Sequence, residues 1–387
     1  MKRCILKIFT LLVFSSLILS CSGGEKDSGL QEEYQKVDYT LGESSKVVKP
    51  EDAAGIVGVD EEGTIVFEAD SALASSLKQN DVLLIGLGPK TPEGLLRRVN
   101  EIAEDKGQVV VKTSQASMEE AFSNLELSMF KNLQPAEVKQ YSSSVEGLSF
   151  IQAPLTGEAG YEFKTGFDNT VLYDLDKNLS TKHDQVVANG NLSFFAGLKV
   201  DIEIDWFSLK RFSAGILIKQ EGELEISSGI GVSLSKEIKV AEFYFAPMAV
   251  GPVVITPTIE IVVGIDGELS AKMVARVSQS VKADAGIVWE SSKWGKYGSA
   301  DWDFTYLPPS AEIEASVKGY AGVNLTTKIY GVAGPFGGVN GYLKYIVTPI
   351  NTPWWRLYAG IEGKIGAKVE FLSFKLTEFS IKVYEGG

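Results

Sequence analysis

Apolar and polar residues alternate along most of the second half of the chain. From Leu269 to Trp289 the odd positions read Leu, Ala, Met, Ala, Val, Gln, Val, Ala, Ala, Ile and Trp. The even positions between them are mostly Ser, Lys, Arg and Asp. A period of two marks a strand with one buried and one wet face. At about 3.3 Å per residue this run would extend roughly 65 Å, whereas ordinary strands have about five or six residues, so a bend or break inside it is expected. The same alternation recurs at Leu198, Val200, Ile202, Ile204 and Trp206, and at Leu224, Ile226, Ile230, Val232 and Leu234. It returns at Ala311, Ile313, Ala315 and Val317 through Ala321, Val323, Leu325 and Ile329. The last runs are Ile361, Ile365, Ala367 and Val369, then Phe379, Ile381 and Val383. Gly251-Pro252, Pro308-Pro309, Gly334-Pro335 and Thr352-Pro353 punctuate the runs. The pattern predicts a large, elongated antiparallel β domain over residues 166–387, one face buried and one wet. A transmembrane barrel fits less well, because the apolar face is rich in Ala and Gly and the chain ends Tyr384-Glu385-Gly386-Gly387 without a terminal aromatic.

A second, smaller pattern precedes it. Gly55–Val59 and Thr64–Phe67 flank the acidic turn Asp60-Glu61-Glu62-Gly63 and read as a hairpin. Val82–Ile85 follows Asn80-Asp81, and Gly94–Val99 and Gln108–Thr113 flank Asp105-Lys106-Gly107. Five short strands predict a small β-barrel or sandwich over residues 46–125. Ser117 and Glu120 stand at capping-box spacing before a helical turn. Residues 126–165 are expected to connect the two domains. The stretches Asp81–Leu83, Pro92–Val99 and Thr113–Phe122 resemble a module of uncharacterised secreted β-rich bacterial proteins, a resemblance that implies no activity. Arg97 and Arg98 are candidate anion ligands, with ordinary exposed strand positions as the alternative.

The chain begins with Lys2, Arg3 and Lys7 and then an apolar run from Ile8 to Leu19 broken by Thr10, Ser15 and Ser16. The run is too short for a membrane-spanning helix and has the layout of a secretory signal. Its end, Leu17-Ile18-Leu19-Ser20-Cys21, resembles a lipobox. That resemblance implies that residues 1–20 are removed and that Cys21 is lipidated, since a thioether to diacylglycerol needs a sulfur nucleophile. Residues 21–45, opening Ser22-Gly23-Gly24-Glu25-Lys26-Asp27-Ser28-Gly29, read as a flexible tether. The Glu25-Lys26-Asp27 cluster is similar to the export tags of Bacteroidota surface lipoproteins. A bacterial cell-envelope location follows, anchored by lipid in the outer membrane and either periplasmic or surface-exposed.

Composition narrows the function. The formal charge is −13, and loss of Lys2, Arg3 and Lys7 would bring it to −16. Such an acidic chain is a poor partner for nucleic acid or anionic lipid. Of two cysteines, Cys4 would leave with the signal, so no intramolecular disulfide would remain. One histidine, His183, serves the whole chain, and no Gly-x-Ser-x-Gly elbow accompanies it. A zinc site is disfavoured for the same reason. Asp174, Asp176, Asn178 and Asp184 offer oxygens at alternate positions of a turn, which suits calcium, a hard cation. The spacing resembles the start of an EF-hand or dockerin loop. It departs at Leu179, where Gly is needed, and at Gln185, where a bidentate Glu belongs. The alternative is a solvated Asx-turn joining two strands. Trp354-Trp355 offers a candidate sugar or ligand platform, since one of two adjacent strand residues faces outward; packing of both is the alternative. The sequence therefore predicts a mainly β, non-enzymatic envelope protein that contacts protein or glycan partners. Its alternative is a carrier of an apolar ligand, such as a lipid, in an elongated groove.

Overall fold

The computed structural model describes residues 31–144, 149–154, 161–310, 315–348, 350–369 and 376–386. Met1 to Ser20 and Cys21 lie outside the described residues. In chain order, β1 (Tyr34–Leu41) opens the fold, followed by β2 (Ser45–Val48), α1 (Pro50–Ala53), β3 (Ile56–Val59) and β4 (Ile65–Glu68). Then come α2 (Ala72–Ser76), β5 (Val82–Ile85), β6 (Leu95–Asp105), β7 (Gln108–Gln115) and α3 (Met118–Ala121). The long elements begin with β8 (Phe122–Leu133), β9 (Val138–Ser143), β10 (Ser149–Pro154), β11 (Tyr161–Asp174) and β12 (Gln185–Asp205). They continue with β13 (Ser208–Ser228), β14 (Val232–Phe245), β15 (Met248–Val250), β16 (Val253–Leu269) and β17 (Met273–Glu290). The last are β18 (Lys293–Ser310), β19 (Ala315–Ile329), β20 (Val332–Val347), β21 (Trp355–Val369) and β22 (Leu376–Gly386).

These strands form three sheets, and none closes into a barrel. The first runs β1-β8-β12-β13-β17-β18, with β11 sharing the β8 side of β12 and β10 beyond β11. The second runs β22-β21-β20-β19-β16-β14-β9, with β15 on β16. Both are antiparallel and face each other across one continuous core. The alternation supplies that core. Leu198, Val200, Ile202 and Ile204 point inward from β12, and Met273, Ala275, Val277, Val281 and Ala283 from β17. Phe163 and Phe194 of the first sheet stack at 4.8 Å, and Phe243 of the second meets Phe163 edge-on at 5.5 Å. On the outer face, Tyr297 lies over Gly215 and Gly286, where a Cβ would stand 2.2 Å from its ring or hydroxyl. Glycine is required there by close approach.

The expected break in the Leu269–Trp289 run sits at its start. β16 ends at Leu269, Lys272 turns with φ 60°, and β17 then continues unbroken for 18 residues. The Leu224–Leu234 run spans a crossover, with Leu224 and Ile226 on β13 and Val232 and Leu234 on β14 in the opposite sheet.

The third sheet is the small unit, ordered β2-β5-β6-β7-β4-β3. Its hairpins fall at the predicted places, and Ser117 and Glu120 form the predicted capping box on α3. It is an open six-stranded sheet, with β2 added in parallel to β5. All four residues of β5 are buried, because the sheet is covered on both sides. Leu83 and Ile85 pack with Ile65, Phe67 and Val99 on one side. Val82, Leu84 and Leu96 join the core of the sandwich on the other.

Three boundaries differ from the sequence reading. The described part of the 21–45 tether contains β1, which pairs antiparallel with β8 from Tyr34↔Phe130 to Leu41↔Phe122. The small unit is thus an insertion between two neighbouring strands of the large sheet. The 126–165 connector is not a linker: it holds the rest of β8, then β9, β10 and the start of β11. Trp206 does not continue the buried face of β12; the strand ends at Asp205 and Trp206 lies in the turn.

Register aligns the loops at two ends. The insertion and the turns 206–207, 291–292 and 330–331 mark the near end. The loop 175–184, the crossover 229–231, the turn 270–272 and the loop 348–354 mark the far end.

Candidate functional site

At the far end, β11 finishes at Asp174 and β12 starts at Gln185, and these two residues are register partners. The ten residues between fold back on themselves through side-chain to backbone hydrogen bonds. Asp176 Oδ1 accepts from the Asn178 N–H at 2.8 Å, and Asn178 Oδ1 accepts from Ser180 N–H at 3.2 Å. Lys177 between them takes φ 59°, the left-handed region such turns tolerate. The Thr181 N–H closes on the Asn178 carbonyl at 2.8 Å. A short 3-10 turn, Lys182–Asp184, then brings Asp184 back under the loop. Its Oδ2 accepts from the Asp176 N–H at 3.3 Å. The crossover presses on the same place: a Cβ on Gly229 would stand 2.3 Å from the His183 carbonyl oxygen.

This folding gathers the carboxylates of Asp174, Asp176 and Asp184 so that one oxygen of each lies within 4.8 Å of the others. Asp176 is exposed, Asp174 half-buried, and Asp184 buried at 8 % exposure. Gln185 Nε2 donates to Asp174 Oδ2 at 2.9 Å. The remaining oxygens, Asp174 Oδ1 and Asp184 Oδ1, are buried with no hydrogen-bond partner among the described residues. Buried carboxyl oxygens without donors are costly. The Asn178 N–H holds the Asp176 carboxyl below the usual carboxylate range, with smaller help from Thr181, Asp174 and His183. Two oxygens bound to one calcium at about 2.3–2.6 Å span up to about 5 Å, so the group matches the bite of a single hard cation. Of the four residues singled out in sequence, three form this group. Asn178 is exposed and shapes the turn that positions Asp176.

The other candidates are spread apart. Trp354 ends the far-end loop and Trp355 opens β21. Trp354 is exposed, while Trp355 packs half-buried near Tyr345, ring centroids 6.5 Å apart. The two indoles meet edge-on at 6.2 Å. Ile350 beside them is almost wholly exposed. His183 is exposed next to Asp184.

Arg97 and Arg98 serve the small unit. Arg97 donates to the Glu62 carbonyl at 2.8 Å, to Thr113 Oγ1 at 2.9 Å and to Gln115 Oε1 at 3.3 Å. Burial lowers its pKa from the usual guanidinium value. Arg98 pairs with Glu120. Both are occupied by the chain itself.

Sequence reasoning missed the turn between β12 and β13. Trp206 is 80 % exposed and Phe207 47 %, in a two-residue connection closed by Asp205 and Ser208. A break in the β12 alternation at Phe207-Ser208 is the signal that was available.

Comparison with family models, with curated proteins and with solved structures finds no match, so the functional reading of this chain rests on its own residues and geometry.

Proposed function

We propose that the chain is a lipid-anchored protein of the bacterial cell envelope that works by non-enzymatic contact. In this reading the long sandwich is a rigid body, and the loop 174–184 at its far end carries calcium. The observation that supports contact over carriage lies between the sheets. The cavity lined by Leu224, Ile226, Ala275, Val317, Leu343 and Tyr345 has a volume of about 10 Å³. A second, lined by Leu198, Ala214, Ile216, Leu325, Phe336 and Ile365, also has about 10 Å³. Each is roughly the space of one water, far below the several hundred Å³ of a small-molecule pocket. Side chains fill the groove that an apolar cargo would need at these places. Recognition of a protein or glycan partner then belongs to the surface and the loops.

The anchor is tested by Cys21→Ala. Wild-type protein is expected in the membrane fraction with an acylated N-terminal peptide, and the variant in the soluble fraction without it. A variant that stays membrane-bound and acylated contradicts the anchor. Calcium is tested by thermal melting with and without the ion, as developed below.

A further inference from the structure

We propose that the chain forms a two-fold dimer in which β18 and β22 pair with the same edge strands of a second copy. The proposal stands on the edges of the sandwich and depends on neither the anchor nor the calcium reading.

The two sheets leave their longest open edges on one side. Among the described residues β18 ends the first sheet, bonded to β17, and β22 ends the second, bonded to β21. β18 and β22 stack across the sandwich, so the two edges lie one over the other. The edge strands on the other side are short: β1 has 8 residues, and β9 and β10 have 6 each. β18 runs for 18 residues and β22 for 11. An open edge presents a row of N–H and C=O groups to any strand that can match it, and monomers blunt such edges by keeping them short, bulged or interrupted by proline. From Lys293 to Leu307 β18 has no proline and keeps an unbroken register with β17.

The sequence of β18 is complementary to itself. Its only charged residues are Lys293 and Lys296 before Gly298 and Asp301 and Asp303 after it, and all four are exposed. An antiparallel second copy therefore sets cations against anions. With Gly298 on the two-fold axis, Lys293 of one copy stands opposite Asp303 of the other, twice in the dimer. Both are odd positions, on the outer face that carries Tyr297. Lys293 also stands opposite Glu290 of its own β17, so the dimer flanks it with acids on both sides. Asp303 Oδ1 accepts from the Phe304 N–H at 2.9 Å, and the residue stays exposed. The even positions face the core, and the same register sets Trp294 opposite Trp302 of the second copy. Both indoles are half-buried against the core, and Trp294 meets Phe212 edge-on at 6.2 Å. Lys296 falls opposite Ala300, so no like charges meet. Directly opposite pairs of unlike charge and of aromatic rings are the pairs that stabilise a sheet.

The second sheet meets its copy about the same axis. Gly298 pairs with Ala285 of β17, and Ala285 with Ile216 of β13. Ile216 reaches across the core to Gly337 of β20, where a Cβ would stand 2.8 Å from its Cδ1. Gly337 pairs with Ile365 of β21, and Ile365 with Ile381, the middle residue of β22. The middle of β22 is therefore level with Gly298, and rotation about one axis normal to the sheets brings β18 and β22 each antiparallel to its own copy. A strand donated by an unrelated partner would cover one edge. A second copy covers both in one operation, and the interface is isologous and closed.

Sedimentation equilibrium of the full-length protein in a neutral, density-matched detergent reads the mass of the protein alone. The wild type is expected to sediment as a dimer at micromolar concentration. Lys293→Asp and Asp303→Lys each set like charges opposite one another at both sites of the dimer, and each is expected to raise the dimer dissociation constant about tenfold. The double variant Lys293→Asp/Asp303→Lys exchanges the charges and is expected to restore the wild-type value, which separates contact from folding. A monomeric wild type overturns the dimer. A dimer that both single variants leave unchanged, or a double variant no tighter than the single ones, overturns the β18 edge as its interface.

Discussion

Strand β12 joins two regions with opposite chemistry. At Gln185 it leaves a loop where three carboxylates converge and two buried oxygens lack donors. At Asp205 it enters a turn where two aromatic rings face water in left-handed backbone. The 21-residue strand between them spans about 66 Å of filled core. One end gathers three acidic groups that could hold a metal ion. The other carries the conformational cost of bulky residues in left-handed backbone. A body this long keeps the two regions far apart.

The largest expected effect concerns the body. Phe194 is 1 % exposed and stacks on Phe163. Phe194→Ala is expected to lower stability by about 3–5 kcal/mol in urea denaturation while leaving calcium affinity intact. A loss below about 1 kcal/mol would mean that the two sheets do not share one core. The turn comes next. Left-handed backbone costs about 1–2 kcal/mol per bulky residue, so Trp206→Asn/Phe207→Gly is expected to stabilise by about 2 kcal/mol on the same assay. No gain would mean that the near end stores no strain. At the far end, Asp184→Asn removes a buried charge and supplies N–H groups to neighbouring carboxylates. Without calcium it is expected to stabilise by about 1 kcal/mol, and a destabilised variant would mean that Asp184 is satisfied in the metal-free chain.

The smallest effect appears only in alkali. Burial, with the charge of Asp284 second, pushes Tyr297 up to about 12 from 10.0. Burial also raises Tyr320 and Tyr330. A raised folded-state value stabilises fully below 10 and loses that stabilisation as pH rises through about 12. Melting temperature is therefore expected to fall across that window, and less steeply in Tyr297→Phe. Parallel pH profiles would contradict the burial of this hydroxyl.

The comparison also shows why some regions were legible in sequence and others were not. Strict alternation exposed the interior strands: the odd positions of 273–283 are the buried face of β17. The capping box was legible because both residues that make it are local. β1 escaped because its alternation, Val37, Tyr39 and Leu41 around Asp38 and Thr40, is short and is not continued through Tyr34-Gln35-Lys36, as suits an edge strand that is mostly wetted. The insertion escaped with it, since only the pairing of β1 with β8 reveals that the small unit interrupts the large one. At the acidic loop, Asp174, Asp176 and Asp184 were visible from spacing. The burial of Asp184 and its unpartnered Oδ1 were not, because spacing along the chain does not show tertiary packing, such as the crossover whose Gly229 lies against the His183 carbonyl. Trp206 was placed on the wrong face because parity carries no notice of where a strand stops.

Isothermal titration calorimetry of calcium into the full-length protein, paired with thermal melting, tests the central claim most directly. The account predicts saturable binding that Asp184→Asn abolishes, and stabilisation of about 2.7 kcal/mol when free calcium is about a hundred times Kd. No binding heat and an unchanged melting temperature in the wild type, or equal binding in Asp184→Asn, would contradict it.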